Sequence, residues 1–225
     1  MKYIIMCGGQ YEKWKMPRQL LLVNGEPIVA RTIRLLKECG VASEDIAISG
    51  EDDAFREFGV TFLLNLSNYY SREYNDSDGD WCDAFYPTDK PACYLFGDVI
   101  FSPKAIWTIV SWDETDIMLF GSKPPFAAVY PKKFIEPFAF KVNNTAHFRS
   151  AIRRVKELDR QGAFKRRPIA WELWSVIRHS NINHTNRNYV GINDYTCDVD
   201  DPKDVAECVE GMWIDEPEGM QIWRR

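Results

Sequence analysis

The chain has 225 residues, 45% of them hydrophobic, and carries a formal net charge of −5 with a sequence pI near 5.3. This length and apolar content are enough for one α/β domain whose core needs no metal or disulfide support. The acidic balance argues against a general nucleic-acid-binding protein, which needs excess Lys and Arg to neutralise phosphates.

In the first half of the chain, short apolar runs alternate with one clear helical pattern. The helix is indicated by apolar residues near helical spacing after Pro27 and before Gly40, a favourable start and end. A later unbroken apolar run ends in Gly97-Asp98 and predicts a central strand that presents the aspartate at its carboxyl end. Strands are predicted at residues 2–7, 45–49, 60–65 and 92–96, and helices at 27–39 and 81–86.

The second half predicts two further strands and three amphipathic helices. The strands are predicted at residues 117–121 and 126–130, and the helices at 145–160, 169–179 and 202–209. Strands alternating with helices favour a mostly parallel sheet with helices on both faces, in a three-layer α/β sandwich. Because no linker or repeat interrupts the pattern, we expect a single domain over residues 1–225, with 211–225 as a C-terminal extension.

Cysteine and histidine usage indicates neither a disulfide framework nor a zinc site. The six cysteines are spaced singly, so we expect reduced, mostly buried thiols. The three histidines lack zinc-ligand spacing. The apolar run at the start is too short for a signal peptide, and no stretch approaches the roughly 18 apolar residues of a membrane span. A cytoplasmic protein without a membrane partner is expected.

Groups suited to phosphate and metal binding follow the predicted strands. Gly8 and Gly9 come after the first strand, Asp98 comes after the central strand, and Asp198 and Asp200 precede the last helix. In parallel sheets ligands lie at the carboxyl ends of the strands, and glycines there let backbone N–H groups approach phosphate. Carboxylate oxygens in that place are suited to Mg²⁺, which bridges substrate phosphates.

Read in order, these segments resemble the signature of a known enzyme group. Gly8-Gly9, then Pro17-Arg18-Gln19-Leu20 and Gly25-Glu-Pro-Ile28, are similar to the N-terminal motif of the nucleotidyltransferase superfamily with a GT-A-like fold. The stretches Tyr94–Ser102 and Asp198–Asp204 resemble its two metal-binding segments. That group includes sugar-1-phosphate nucleotidyltransferases, phosphocholine and methylerythritol-phosphate cytidylyltransferases, and molybdenum-cofactor guanylyltransferases.

The resemblance implies a fold, a reaction and its partners. The fold is a mostly parallel, Rossmann-like three-layer sandwich of the nucleotide-diphospho-sugar transferase type. The reaction transfers an NMP, with CMP favoured, from a nucleoside triphosphate to a phosphorylated small molecule such as a sugar phosphate or a phosphocholine-like acceptor, releasing pyrophosphate. Mg²⁺ is the implied cofactor, and no nucleic-acid partner is expected.

The same resemblance implies roles for individual residues. Arg18 takes the place of the family's catalytic lysine and Lys13 that of its loop arginine, and we expect Arg18 to be an exposed charge that contributes little to stability. The implied metal ligands are Asp98, Asp200 and Asp198. The implied nucleotide-binding residues are Cys7, Gly8, Gly9, Gln10, Asn65, Ser77 and Gly97.

Two other interpretations remain open. A GT-A glycosyltransferase using a sugar nucleotide shares the fold, but its Asp-x-Asp normally follows a central strand, whereas here that pattern falls late, at 198–200. A catalytically silent nucleotide-binding domain is favoured by the arginine at position 18, because arginine and lysine are not equivalent at a tight phosphate site.

Overall fold

The computed structural model describes residues 1–8, 16–66, 81–113, 116–122, 136–180 and 188–215. Eleven strands are present in this part of the chain. In chain order they are β1 (Lys2–Cys7), β2 (Leu22–Val23), β3 (Glu26–Pro27), β4 (Ile46–Gly50), β5 (Thr61–Leu64), β6 (Ala92–Phe96), β7 (Val99–Ile100), β8 (Ile117–Gly121), β9 (Pro137–Val142), β10 (Tyr189–Gly191) and β11 (Cys197–Asp198).

Five α-helices accompany the strands, namely α1 (Ile28–Glu38), α2 (Pro103–Ser111), α3 (Thr145–Arg160), α4 (Ala170–Ser180) and α5 (Pro202–Asp215). Helix α1 packs against α2, and α3 packs against α4. Within the described ranges, no helix has the length and apolar character needed to cross a membrane.

The main sheet has seven strands in the order β10-β8-β9-β6-β1-β4-β5. Strand β1 pairs in parallel with β4 and β6, and β4 pairs in parallel with β5. Strand β9 runs antiparallel to both of its neighbours, β6 and β8. The sheet is therefore mixed but mostly parallel, flanked by helices, and the predicted Rossmann-like α/β sandwich is confirmed. The carboxyl ends of β1, β4 and β6 meet at one edge.

Predicted and observed elements agree where the apolar pattern is strongest. The strands at 2–7, 92–96 and 117–121 and the helix at 145–160 are present at the predicted bounds. The predicted strand at 126–130 lies outside the described residues.

Several elements differ from the prediction or were not predicted. The predicted helix at 81–86 is only a 3-10 turn, Trp81–Ala84. Helix α5 continues past Gly211 to Asp215, because Met212 is buried and its packing outweighs the helix-breaking preference of glycine. Strand β9 and helix α2 were not predicted from the sequence.

A second, smaller hydrophobic core lies beside the main one. It joins the β2–β3 hairpin, the β7–β11 pair and α5, and consists of Val23, Ile28, Ile100, Tyr195, Cys197, Val199, Cys208 and Met212. Cys197 and Cys208 are disulfide-bonded within it, while Cys7, Cys39, Cys82 and Cys93 are free. The expectation of six free thiols is wrong for this one pair, because tertiary packing brings β11 onto α5.

A buried lysine on β9 supports the end of α2. The Nζ of Lys141 donates hydrogen bonds to the carbonyl oxygens of Ile109, Val110 and Trp112 at 3.0, 2.9 and 2.6 Å. These carbonyls lie at the C-terminus of the helix, where the macrodipole favours positive charge. Burial lowers the pKa of Lys141, and the three carbonyl contacts offset the loss of hydration.

We expect Lys141→Met to lower the free energy of unfolding by about 2–4 kcal/mol, because three carbonyls at the end of α2 lose their donor. Urea denaturation measures the change. The control is Lys104→Met on the exposed face of the same helix, which should change stability by less than about 0.5 kcal/mol. Equal losses in the two variants would contradict the assigned role of Lys141.

Candidate active site

Two glycines let the backbone close up around the end of β1. The backbone N–H of Gly97 donates to the carbonyl oxygen of Met6 at 3.0 Å. A Cβ at Gly97 would lie 2.4 Å from that oxygen and 2.9 Å from the Sγ of Cys7. On the other side, a Cβ at Gly50 would lie 2.7 Å from the carbonyl oxygen of Cys7. A side chain at either position would force the strands apart, so these glycines set the spacing of the edge that carries Gly8 and Asp98.

The acidic residues come together through a short antiparallel pair. Strand β11 pairs with β7 so that Asp198 lies opposite Val99. The backbone N–H of Val199 donates to the carbonyl oxygen of Asp98 at 3.0 Å. Two segments about one hundred positions apart in the sequence therefore place Asp98, Asp198 and Asp200 at the same edge of the sheet.

Arg18 lies between two of these aspartates. It begins a 3-10 turn, Arg18–Leu20, that follows Pro17. Its Nη2 lies 2.7 Å from Oδ2 of Asp98, and its Nη1 lies 2.6 Å from Oδ1 of Asp200. Nη1 also donates to the carbonyl oxygen of Val199 at 2.6 Å. The side chain is only 18% exposed, so the expectation of an exposed loop charge is wrong. Asp98 and Asp200 hold the Arg18 side chain in place, and both lie too far along the sequence from Arg18 to be predicted as its neighbours.

Crowding of carboxyl groups perturbs the acidic residues. Burial, followed by repulsion from Glu136, raises the pKa of Asp198 to about 9, and a hydrogen bond between the two side chains contributes. Burial also raises the pKa of Asp98, although the guanidinium of Arg18 opposes the shift. Glu136 was missed by sequence reasoning because it precedes β9, a strand that the pattern did not indicate. Burial and the neighbouring Glu136 therefore favour the protonated form of Asp198, while Asp98 and Asp200 share Arg18.

A cavity of about 410 Å³ lies at this edge of the sheet. Five of the residues that line it were candidates from the sequence, namely Gly8, Arg18, Asp98, Asp198 and Asp200. The structure adds a second basic residue, Arg167, and a largely apolar wall. The other described residues that line the cavity are Met6, Trp81, Ala84, Phe96, Pro137, Ile169 and Ala170.

Three predicted nucleotide-binding residues are described but do not line the cavity. Cys7 is a buried thiol whose pKa is raised by burial. Gly97 makes the close approach to β1. The side-chain amide of Asn65 donates to the carbonyl oxygens of Asp83 and Ala84 at 3.3 and 3.2 Å, which fastens the turn that carries Ala84 into the cavity wall.

Four further candidates, Gly9, Gln10, Lys13 and Ser77, lie outside the described residues. Their predicted roles stay predictions.

The acidic pair on Arg18 has the donor chemistry that Mg²⁺ requires. Because both carboxylates contact one guanidinium, they lie well within about 10 Å of each other. Among the described residues, no group of three or more Asp, Glu, His and Cys side chains is arranged to hold a metal. Two carboxylates are nevertheless enough, because Mg²⁺ commonly keeps waters and takes its other ligands from substrate phosphates. Asp98 and Asp200 fit the ion on this basis.

Comparison with known proteins bears on the fold. No family model and no curated protein matches the chain. Among solved structures it is similar to a protein from Bacillus anthracis assigned as a glucose-1-phosphate thymidylyltransferase and solved with sucrose. That match has 14% identity and a TM-score of 0.51, and covers 93% of this chain and 94% of that one. HddC from Yersinia pseudotuberculosis, complexed with GMP-PN, gives 12% identity, a TM-score of 0.48 and coverage of 93% and 98%. The first likeness shows that the chain has a nucleotidyltransferase-like fold.

We expect Gly97→Ala to lower the free energy of unfolding by about 1–3 kcal/mol, because the added methyl group would overlap the carbonyl oxygen of Met6. Thermal or urea denaturation measures the loss. Ser111→Ala, at an exposed position ending α2, is the control and should change stability by less than about 0.5 kcal/mol. Equal behaviour of the two variants would show that the close approach does not constrain this edge.

Proposed function

We propose that this chain is a nucleotidyltransferase. It would transfer an NMP from a nucleoside triphosphate to a phosphorylated small molecule and release pyrophosphate. The observation that carries the proposal is the meeting of Arg18, Asp98 and Asp200 at the carboxyl edge of β1 and β6. They come from three separate segments of a nucleotidyltransferase-like fold, each resembling one part of the same enzyme signature.

The place and size of the cavity support this proposal. In sheets of this type, ligands bind outside the carboxyl ends of the strands. A volume of about 410 Å³ is in the range of small-molecule sites. The cavity combines two arginines with three aspartates, a mixture that suits a phosphorylated ligand accompanied by a cation better than an apolar ligand.

The proposed reaction needs alignment and charge neutralisation more than acid–base chemistry. An oxygen of the acceptor phosphate attacks the α-phosphorus in line, forming one P–O bond as the bond to pyrophosphate breaks. Arg18 would donate N–H groups to the phosphate oxygens on which charge develops. Asp98 and Asp200 would hold Mg²⁺, which when bound supplies positive charge to the phosphates. Lys13, which follows Gly8 in the sequence, would assist as a second positive charge.

Cytidine as the base and a sugar phosphate or phosphocholine-like molecule as the acceptor are finer parts of this proposal. The base preference is supported by the resemblance of Pro17-Arg18-Gln19 to the cytidylyl signature and of the segment from Asn65 to Ser77 to choline-type enzymes. A cytoplasmic location, where nucleoside triphosphates are available, belongs to the same proposal.

The second candidate is a nucleotide-binding domain without turnover. The ion pairs of Arg18 favour it, because a guanidinium bound to two carboxylates is not directed at phosphate. Nucleotide binding with no pyrophosphate release would identify this case.

The function is tested by incubating the protein with Mg²⁺, each of the four nucleoside triphosphates, and either glucose 1-phosphate or phosphocholine. We expect pyrophosphate release, fastest with CTP, and the largest thermal stabilisation by CTP, since a ligand that binds the native state stabilises it by mass action. GTP or UTP performing as well as CTP would contradict the base preference. No stabilisation by any nucleotide would overturn both candidates.

Replacing Arg18 tests its proposed role. Arg18→Ala should lower turnover by several powers of ten, because a charge directed at the transition state is lost. It should also lower the free energy of unfolding by about 1–2 kcal/mol, because Asp98 loses its partner, whereas the side chain of Asp200 is 74% exposed and loses little. Arg18→Lys should retain part of the activity, since the charge remains but the planar fork does not.

The matched control is Arg34→Ala. Arg34 also bridges two carboxylates, Glu26 at 2.8 Å and Glu38 at 2.9 Å, but it does not line the active-site cavity. Turnover should be unchanged in this variant. Equal turnover in Arg18→Ala and the wild-type protein would show that Arg18 has only a structural role. The match of Pro17-Arg18-Gln19-Leu20 to the family's lysine motif would then be wrong.

A further inference from the structure

We propose that Arg18 is a displaceable counter-ion that makes metal and triphosphate bind cooperatively. In the free protein it would occupy the place between Asp98 and Asp200, and on loading it would exchange the carboxylates for phosphate oxygens while a divalent cation takes its place. This inference rests on the proposed function and adds to it a coupling between the two ligands.

The geometry of the ion pairs makes Arg18 a competitor of the metal. Separate nitrogens of one guanidinium contact separate carboxylates, with distances of 2.7 Å to Asp98 and 2.6 Å to Asp200. A cation that used both carboxylates would need the space between them, which the guanidinium fills. A metal ion arriving alone must therefore displace Arg18 or bind to fewer ligands.

Displacement by a metal alone is unfavourable. Arg18 has a side chain only 18% exposed, so its charge is poorly hydrated where it lies. Without its carboxylates it would be left beside a new divalent charge, and a partly buried charge that loses its partner is strongly disfavoured. The free protein should therefore bind divalent cations weakly.

Triphosphate removes this penalty. Phosphate oxygens accept paired hydrogen bonds from arginine as carboxylates do, so Arg18 gains new partners as it gives up the old ones. The released carboxylates are then available to the metal. Each ligand lowers the cost of binding the other, and such coupling is reciprocal by thermodynamic linkage.

The backbone around Arg18 confines the exchange to the side chain. The N–H groups of Leu20 and Leu21 donate to the carbonyl oxygens of Pro17 and Arg18, both at 3.0 Å, which closes the 3-10 turn. Gln19 is 1% exposed and packs beside Gly97. The turn is thus fixed to the sheet edge, and rotation of the arginine side chain is enough to change its partners.

The identity of the residue fits this role. A guanidinium presents several N–H groups in a rigid plane and spans two carboxylates at once, whereas an ammonium is a compact point charge. A lysine at position 18 would hold the two aspartates less firmly. Metal binding to the free protein should therefore strengthen from Arg18 to lysine to a neutral side chain.

The test measures binding of Mn²⁺ alone, by the loss of its free electron paramagnetic resonance signal. We expect Arg18→Gln to bind Mn²⁺ about tenfold or more tightly than the wild-type protein, within the usual range of coupling between sites. Arg34→Gln is the matched control, since it also removes a guanidinium shared by two carboxylates, and its affinity at the active site should equal that of the wild type. Adding Asp200→Asn to Arg18→Gln should abolish the gain.

A second arm measures the coupling directly. The affinity for CTP, measured by calorimetry in EDTA and in excess Mg²⁺, should rise about tenfold or more with Mg²⁺ in the wild-type protein and by a smaller factor in Arg18→Gln. Should Arg18→Gln fail to fold, Arg18→Lys takes its place in both arms, with smaller changes of the same sign.

Equal Mn²⁺ affinity in the wild-type protein and the Arg18 variants, or no Mn²⁺ binding in any of them, overturns the inference. Failure of the proposed function is a different result. In that case pyrophosphate release is absent for every donor and acceptor, while the order of Mn²⁺ affinities still holds.

Discussion

The structure of the site depends on one electrostatic constraint. Asp98, Asp198 and Asp200 converge on a single cavity, with Glu136 beside Asp198, and such a group is stable only if protons or cations offset the repulsion. For Asp198, burial and the neighbouring Glu136 raise the pKa and favour the protonated form. Asp98 and Asp200 meet the constraint by sharing the guanidinium of Arg18. Arg18 thus offsets only part of the acidic charge of the site.

Packing brings the charges to this point. Gly50 and Gly97 let neighbouring segments of the backbone approach the end of β1. The second core joins the β2–β3 hairpin, the β7–β11 pair and α5, the elements next to the acidic residues. Arg18 precedes the hairpin, and Asp200 follows β11. These contacts position the ion pairs, and the disulfide between Cys197 and Cys208 joins β11 to α5.

The fold and the site carry different kinds of information about function. A nucleotidyltransferase-like fold at 14% identity to a solved structure does not by itself assign a reaction, because one fold supports many chemistries. Support for a particular reaction comes from the side chains that meet at the edge of the sheet. If the proposed function holds, arginine at the position of the family's lysine would give the site a group that binds both carboxylates and phosphates without changing the charge.

Local sequence determined the strands and helices whose own residues carry a full apolar pattern. Strands β1, β6 and β8 and helix α3 follow from short apolar runs and helical spacing, and Asp98 at a strand end follows from β6. Only the tertiary structure decided that β9 is antiparallel, that Glu136 meets Asp198, and that Arg18 lies between two aspartates. The reason is physical. Arg18 and Asp200 are 182 residues apart in the sequence and 2.6 Å apart in space. Electrostatic and hydrogen-bond energies depend on the spatial arrangement of the groups and not on their separation along the chain.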